Sequence, residues 1–155
     1  LKAARPDDVV LIKHTGDLPV DNEELKAASR PGEGDLRVTF RPAPGFRPVL
    51  VVHDDEDRDQ TLFKLKTGEV TFEDLRFRLA PSRPKDGQTV AAVAVIGGRG
   101  CTFRRCAFTL AEEDDSKVAA VHLQDADRVM KMDPVTRPVP RVVFDHCVVR
   151  GRGRG

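Results

Sequence analysis

The chain has 155 residues, a formal net charge of +1 and a hydrophobic content of 39%. This length is typical of one domain, and the near-neutral charge excludes a global field that would attract nucleic acid or an anionic membrane. The chain contains eight Phe but neither Trp nor Tyr, which disfavours a ligand site built on Trp or Tyr stacking. No apolar run approaches the roughly 18–20 residues of a membrane span, so we expect none.

Short apolar segments separated by polar stretches run along the whole chain. In chain order they lie at 8–13, 36–40, 48–52, 61–65, 70–79, 90–96, 101–110, 118–123 and 142–149. Where apolar and polar residues alternate with a period of two, the pattern predicts strands with one buried face. Residues 22–29 fit either a short helix capped by Asp21 or Asn22, or a loop followed by a strand.

An internal repeat relates several of these segments to one another. Residues 65–79 align without gaps on residues 96–110, at an offset of 31 positions. A third copy lies at 142–149, and a partial copy lies at 37–40. Each full copy reads apolar-x-apolar, two variable residues, apolar-x-apolar. A repeat of about 30 residues with strand periodicity is typical of a solenoid.

The two variable residues in each copy interrupt the alternation. They are Glu73-Asp74, Arg104-Arg105 and Asp145-His146. Because they change the phase of the inward-facing residues, we expect a corner between two short strands at each of them. Strands this short cannot bury a face alone, but copies stacked about 4.8 Å apart fill a continuous core.

The repeat resembles the right-handed parallel β-helix of the pectate lyase-like superfamily. Members of that superfamily stack like residues inside the coil, and Phe72, Phe103 and Phe144 look like such a column, which Phe40 extends. The resemblance implies an all-β, right-handed parallel β-helix of about four to five coils. It also favours an extracellular or cell-envelope location.

We interpret residues 1–155 as a single β-helix domain taken from a larger protein. The chain begins at Leu1 rather than Met and ends on an Arg-Gly repeat at 150–155. A solenoid needs caps that cover its open strand edges, and none is evident at the end of this sequence. Further coils or domains are therefore expected in the intact protein.

The three cysteines are Cys101, Cys106 and Cys147, and none has the C-x-x-C spacing of a zinc or redox motif. The β-helix resemblance places Cys106 and Cys147 on neighbouring coils, where a disulfide is geometrically feasible. The sequence leaves open whether they are bonded.

An acidic segment at 53–59 is the candidate metal site. Its carboxylates include Asp54, Asp55, Asp57 and Asp59. Ca²⁺ takes six to eight oxygen ligands, which such a cluster offers, but the segment lacks the EF-hand pattern and also fits a solvated loop. We expect that the protein requires no cofactor, and Ca²⁺ is the candidate for a bound ion.

The candidate catalytic residues are Asp145, His146 and Arg105. Phe144-Asp-His-Cys147 resembles a stretch found in pectate lyases, and lyases of that superfamily use an Arg or Lys base. Corner placement explains the same residues without any chemistry. The Asn-Thr-Asp, Gly-His-Gly and Arg-Ile-Lys runs of the polygalacturonase-like hydrolases are absent.

Outward-facing basic residues form the candidate binding surface. We expect a basic strip on one wall, made of Arg76, Arg78, Arg104, Arg105, Lys64 and Lys66. Such a strip suits an acidic polymer, although mixed charge on a sheet face also protects against edge pairing. The sequence favours a non-catalytic β-helix module that binds an acidic polysaccharide or a protein. The alternative is a polysaccharide lyase or glycoside hydrolase acting on an acidic glycan.

Overall fold

All the regular structure that the computed structural model describes is β-strand. The described residues are 7–20, 23–25, 36–52, 60–80, 89–97, 99–111, 117–124 and 139–151. The strands are β1 (Asp8–Ile12), β2 (Gly16–Val20), β3 (Glu23–Leu25), β4 (Arg37–Pro42), β5 (Pro48–Val52), β6 (Gln60–Leu65), β7 (Glu69–Glu73), β8 (Arg76–Leu79), β9 (Thr89–Val95), β10 (Gly100–Arg104), β11 (Ala107–Leu110), β12 (Lys117–Leu123), β13 (Arg141–Asp145) and β14 (Val148–Gly151). Among these residues no helix is long and apolar enough to cross a membrane.

The strands form three parallel sheets, and each turn of the chain adds one strand to each sheet. The strand order is β1-β4-β7-β10-β13 in the first sheet, β2-β5-β8-β11-β14 in the second and β3-β6-β9-β12 in the third. Successive coils are therefore β1–β3, β4–β6, β7–β9, β10–β12 and β13–β14. This arrangement confirms the predicted all-β parallel solenoid of several coils. For residues 22–29, the described part is a strand, β3.

The corner between the first and second sheets depends on one residue in the left-handed backbone conformation. Asp74, Arg105 and His146 have φ angles of 55°, 52° and 52°. Each directly follows the last residue of a first-sheet strand, where the chain turns towards the second sheet. A left-handed residue is unfavourable for most side chains. Backbone hydrogen bonds to the next coil hold two of them in place: the Asp74 amide donates to the Arg104 carbonyl at 3.0 Å, and the Arg105 amide donates to the Asp145 carbonyl at 2.8 Å.

Stacked Phe side chains fill the core, as the repeat predicts. Ring centroids lie 5.4 Å apart for Phe40 and Phe72, 5.2 Å for Phe72 and Phe103, and 5.1 Å for Phe103 and Phe144. The first three rings are at most 2% exposed, whereas Phe144, on the fifth coil, is 46% exposed. The column therefore follows the coil axis, and Phe144 is its most exposed described member.

A second aromatic column packs edge-on against the first. Phe77 and Phe108 stack with centroids 4.8 Å apart, and Phe108 meets Phe103 at an angle of 77°. Phe63, from the third sheet, also lies in this core. Stacked contacts along each column and edge-to-face contacts between columns are both favourable aromatic geometries.

Glycine is required where the chain enters the first sheet. Gly68 and Gly100 have φ angles of 77° and 126°. A Cβ at either position would overlap the backbone of the neighbouring coil, at Leu36 or Arg141 respectively. Both glycines therefore combine a left-handed φ with a close backbone approach.

The Phe column predicts a large loss of stability in the Phe103→Ala variant. Truncating a fully buried aromatic side chain should lower the free energy of unfolding by about 3–5 kcal/mol. Urea melts measure this loss, with Phe46→Ala as the matched control because Phe46 is 39% exposed. A loss below about 1 kcal/mol for Phe103→Ala would contradict an inward-facing column.

Candidate functional site

The three candidate catalytic residues lie at the corner between the first and second sheets. Parallel pairing places Arg104 beside Glu73 on one side and beside Asp145 on the other. Arg105 and His146 are the left-handed residues that follow. The corner thus carries two acidic residues on the third coil, two arginines on the fourth, and an Asp-His pair on the fifth.

Ion pairs join the third and fourth coils at this corner. Arg105 donates two hydrogen bonds to Asp74, from Nε to Oδ1 at 2.7 Å and from a terminal nitrogen to Oδ2 at 2.9 Å. Arg104 contacts Glu73 at 3.3 Å. The hydrogen bond from Arg105 holds the pKa of Asp74 below its usual range, and Asp74 in turn raises the pKa of Arg105. These contacts give the paired dipeptides a structural role.

The fifth coil carries an Asp-His pair at the same corner. His146 Nδ1 lies 2.6 Å from Asp145 Oδ1, and 83% of the His146 side chain is exposed. The contact with the carboxylate orients the imidazole ring, so that Nε2 faces away from Asp145. Asp145, His146 and Arg105 are thus brought to one corner, but Arg105 is already engaged by Asp74.

The candidate Ca²⁺ ligands cannot be placed, because Asp54, Asp55, Asp57 and Asp59 lie outside the described residues. Within the described ranges, no group of three or more His, Cys, Asp or Glu side chains is arranged to hold a metal ion. The Ca²⁺ hypothesis therefore remains a prediction from the sequence.

The expectation of one continuous basic strip is wrong. Lys64 lies on β6, in the third sheet, whereas Arg76 and Arg78 lie on β8, in the second. Lys66 directly follows β6 and pairs with Glu24 at 2.5 Å. The offset between repeats identifies residues that stack in one column. It does not show to which of the three sheets the chain turns after a corner. The basic residues are therefore divided between the walls.

A groove on the outer face of the second sheet is a further candidate site. Its cavity volume is about 430 Å³, and it is lined by Val49, Arg76, Phe77, Arg78, Ala107, Phe108, Thr109, Val148 and Arg150. Ala107 and Thr109 lie on the middle strand, β11, and their short side chains form the floor. The strands on either side, β8 and β14, form walls about 9.6 Å apart, which is twice the strand spacing.

The register of the second sheet determines which side chains face one another across the groove. Thr109 pairs with Arg78 on one side and with Arg150 on the other. Ala107 pairs with Arg76 and Val148 in the same way. The groove is therefore bounded by three arginines, and none of the described residues that line it is acidic.

The three arginines differ in how they are engaged. Arg78 forms an ion pair with Asp17, on β2. Neither Arg76 nor Arg150 has an ion-pair partner in the part of the chain that the structure describes. Two guanidinium groups at the groove are therefore available to an anion, and the third is held by an internal carboxylate.

The sequence pattern indicates Arg76 and Arg78 as surface residues of a binding site but does not indicate Arg150 or Thr109. Arg150 belongs to the terminal Arg-Gly repeat, and Thr109 belongs to no motif. The repeat itself carried the missing signal, because its two offsets place both residues in the column of Arg78.

Comparison of the chain with protein-family models, with curated proteins and with solved structures finds no match in any of the three.

The ion pair at the corner predicts a change in the titration of Asp74. Because its pKa is lowered in the folded chain, Asp74 stabilises the fold above its ordinary pKa, and this stability is lost as the pH falls through the lowered value. In Arg105→Ala the Asp74 pKa should rise towards its ordinary range, whereas in Arg104→Ala it should stay nearly unchanged. Carboxyl-detected NMR titration measures both, and an equal change in the two variants would contradict the pairing.

Proposed function

We propose that this chain is a non-catalytic parallel β-helix module of the pectate lyase-like kind, which binds an acidic polysaccharide in the groove of the second sheet. The observation that carries the proposal is the groove lining, which contains three arginines and, in the part of the chain that the structure describes, no acidic side chain. A positive groove on a parallel sheet presents guanidinium groups to an extended anionic chain, at a spacing that the strand register sets. Fold likeness alone would not support a function, so the proposal depends on this site.

The chemistry of the lining favours carboxylate or sulfate groups on a sugar polymer. Arg binds both kinds of group through two parallel hydrogen bonds, and Thr109 adds a hydroxyl at the floor. Val49 and Val148 offer apolar contact to the C–H faces of sugar rings. The aromatic side chains of the groove, Phe77 and Phe108, are at most 1% exposed, so stacking on them contributes nothing to binding.

Binding assays with single-arginine variants test the proposal. Polygalacturonate, alginate and heparin are titrated onto the chain at low and high salt. Arg76→Ala and Arg150→Ala should each weaken the best ligand about tenfold, the equivalent of one charge-assisted hydrogen bond. Added salt should weaken it further.

Arg37→Ala is the matched control, because Arg37 is exposed on β4 of the first sheet and its loss changes the net charge equally. The proposal fails if this control weakens binding as much as the groove variants do, or if no acidic polymer binds.

The ion pair between Arg78 and Asp17 predicts a variant that binds more tightly. An acidic ligand must compete with Asp17 for the Arg78 guanidinium. Asp17→Asn keeps the side-chain shape, removes the competing charge and should strengthen binding several-fold. In an Arg78→Ala background the same substitution should have much less effect. Equal gains in both backgrounds would mean that Asp17 acts only through net charge.

A polysaccharide lyase or hydrolase is the second candidate, favoured by the hydrogen-bonded Asp145 and His146 beside Arg105. An oriented imidazole is a suitable general base for abstracting a proton from a uronate. Ultraviolet absorbance of unsaturated uronate products, with and without Ca²⁺, tests the lyase. A reducing-end assay on the same polymers tests the hydrolase. Activity lost in His146→Ala would support this candidate, and absence of product from every polymer would exclude it.

A further inference from the structure

Two thiols lie in register on the fourth and fifth coils, directly after the corner. Cys106 and Cys147 are both free, and Cys106 is 2% exposed while Cys147 is partly buried. The Val148 amide donates to the Cys106 carbonyl at 2.9 Å, which continues the parallel pairing through this position. The cysteine pair is therefore part of one inward column.

Equivalent contacts determine the separation of the two sulfur atoms. Cys106 Sγ lies 3.4 Å from the carbonyl oxygens of Phe72 and Arg104. Cys147 Sγ lies 3.4 Å from those of Phe103 and Asp145, which are the same positions one coil further on. The sulfurs are thus related by one coil step, about 4.8 Å. That is far longer than the S–S bond of about 2.05 Å.

We propose that Cys106 and Cys147 form a two-coordinate site for a soft monovalent cation such as Cu(I) or Ag(I). A thiolate–metal bond is about 2.3 Å long, so a cation midway between the sulfurs reaches both with little movement. Thiolates are the ligands that select Cu(I). Zinc requires four ligands, and the described residues provide no group of three.

Binding releases two protons. Each S–H bond breaks, two metal–sulfur bonds form, and the cation and two thiols become a dithiolate complex with one negative charge. Affinity should therefore increase as the pH rises.

The bound cation would link the fourth coil to the fifth. The fifth coil is the more exposed of the two, since Val148 and Val149 are 48% and 54% exposed. A ligand that binds the folded chain and bridges these coils raises the melting temperature. The site would thus stabilise the pairing of the fourth coil with the fifth.

Anaerobic titration of the full chain with Ag⁺ against a competing chelator tests the site. We expect one tightly bound ion per chain, two protons released and a higher melting temperature. Cys106→Ala and Cys147→Ala should each weaken binding by at least about 100-fold, because the cation then has one thiolate ligand and loses the advantage of binding two linked ligands at once. Cys101→Ala is the matched control: Cys101 is a buried thiol that pairs with Val70 and Val142 and should not contribute.

Several ions bound with equal affinity, or equal losses in all three variants, would overturn the proposal. X-ray absorption of the Ag⁺-loaded wild-type chain provides a test that does not depend on the variants folding. Two sulfur neighbours in a near-linear arrangement are expected. A single sulfur neighbour, or additional nitrogen and oxygen neighbours, would contradict the site.

Discussion

Parallel pairing in register is the constraint on which the whole structure depends. Each residue meets its equivalent on the next coil at about 4.8 Å, so every position belongs to a column along the solenoid axis. Inside the coil, a column is stable when its members are alike and apolar, as Phe72, Phe103 and Phe144 show. Outside, two like charges in one column would repel each other, so charged columns must change sign from coil to coil.

The corner beside the Phe column follows this rule on its charged side. Glu73, Arg104 and Asp145 each come directly after the Phe of their coil, and their charges alternate in chain order. The next column contains Asp74 and Arg105, whose two hydrogen bonds hold a pair of left-handed residues. Pairing between coils thus explains the charges of the corner dipeptides, which look like unrelated motifs when each segment is considered alone.

The repeat was sufficient to predict the coil and its inner columns, because apolar periodicity and fixed offsets determine which residues stack. It could not predict that Lys64 and Arg76 lie on different walls, since the angle at a corner depends on backbone conformation rather than on residue pattern. Nor did it reveal the groove. A groove arises from the relative sizes of neighbours across a sheet, and Ala107 between two longer side chains belongs to no motif.

Parallel pairing between coils explains the identity of most core and corner residues. Residues whose identity it does not explain are therefore the better guide to function. The corner charges satisfy one another across coils, so the ion pairs at Arg105 need no ligand to explain them. The column of Arg78, Thr109 and Arg150 is different, because a short polar residue separates two cations. Neither core packing nor the backbone hydrogen bonds of the sheet require these side chains. Arg78 and Arg150 lie two coils apart, with the Thr109 hydroxyl between them. An anion bound at Thr109 could therefore contact both guanidinium groups. The second-sheet groove, rather than the corner, is therefore the stronger candidate for ligand binding.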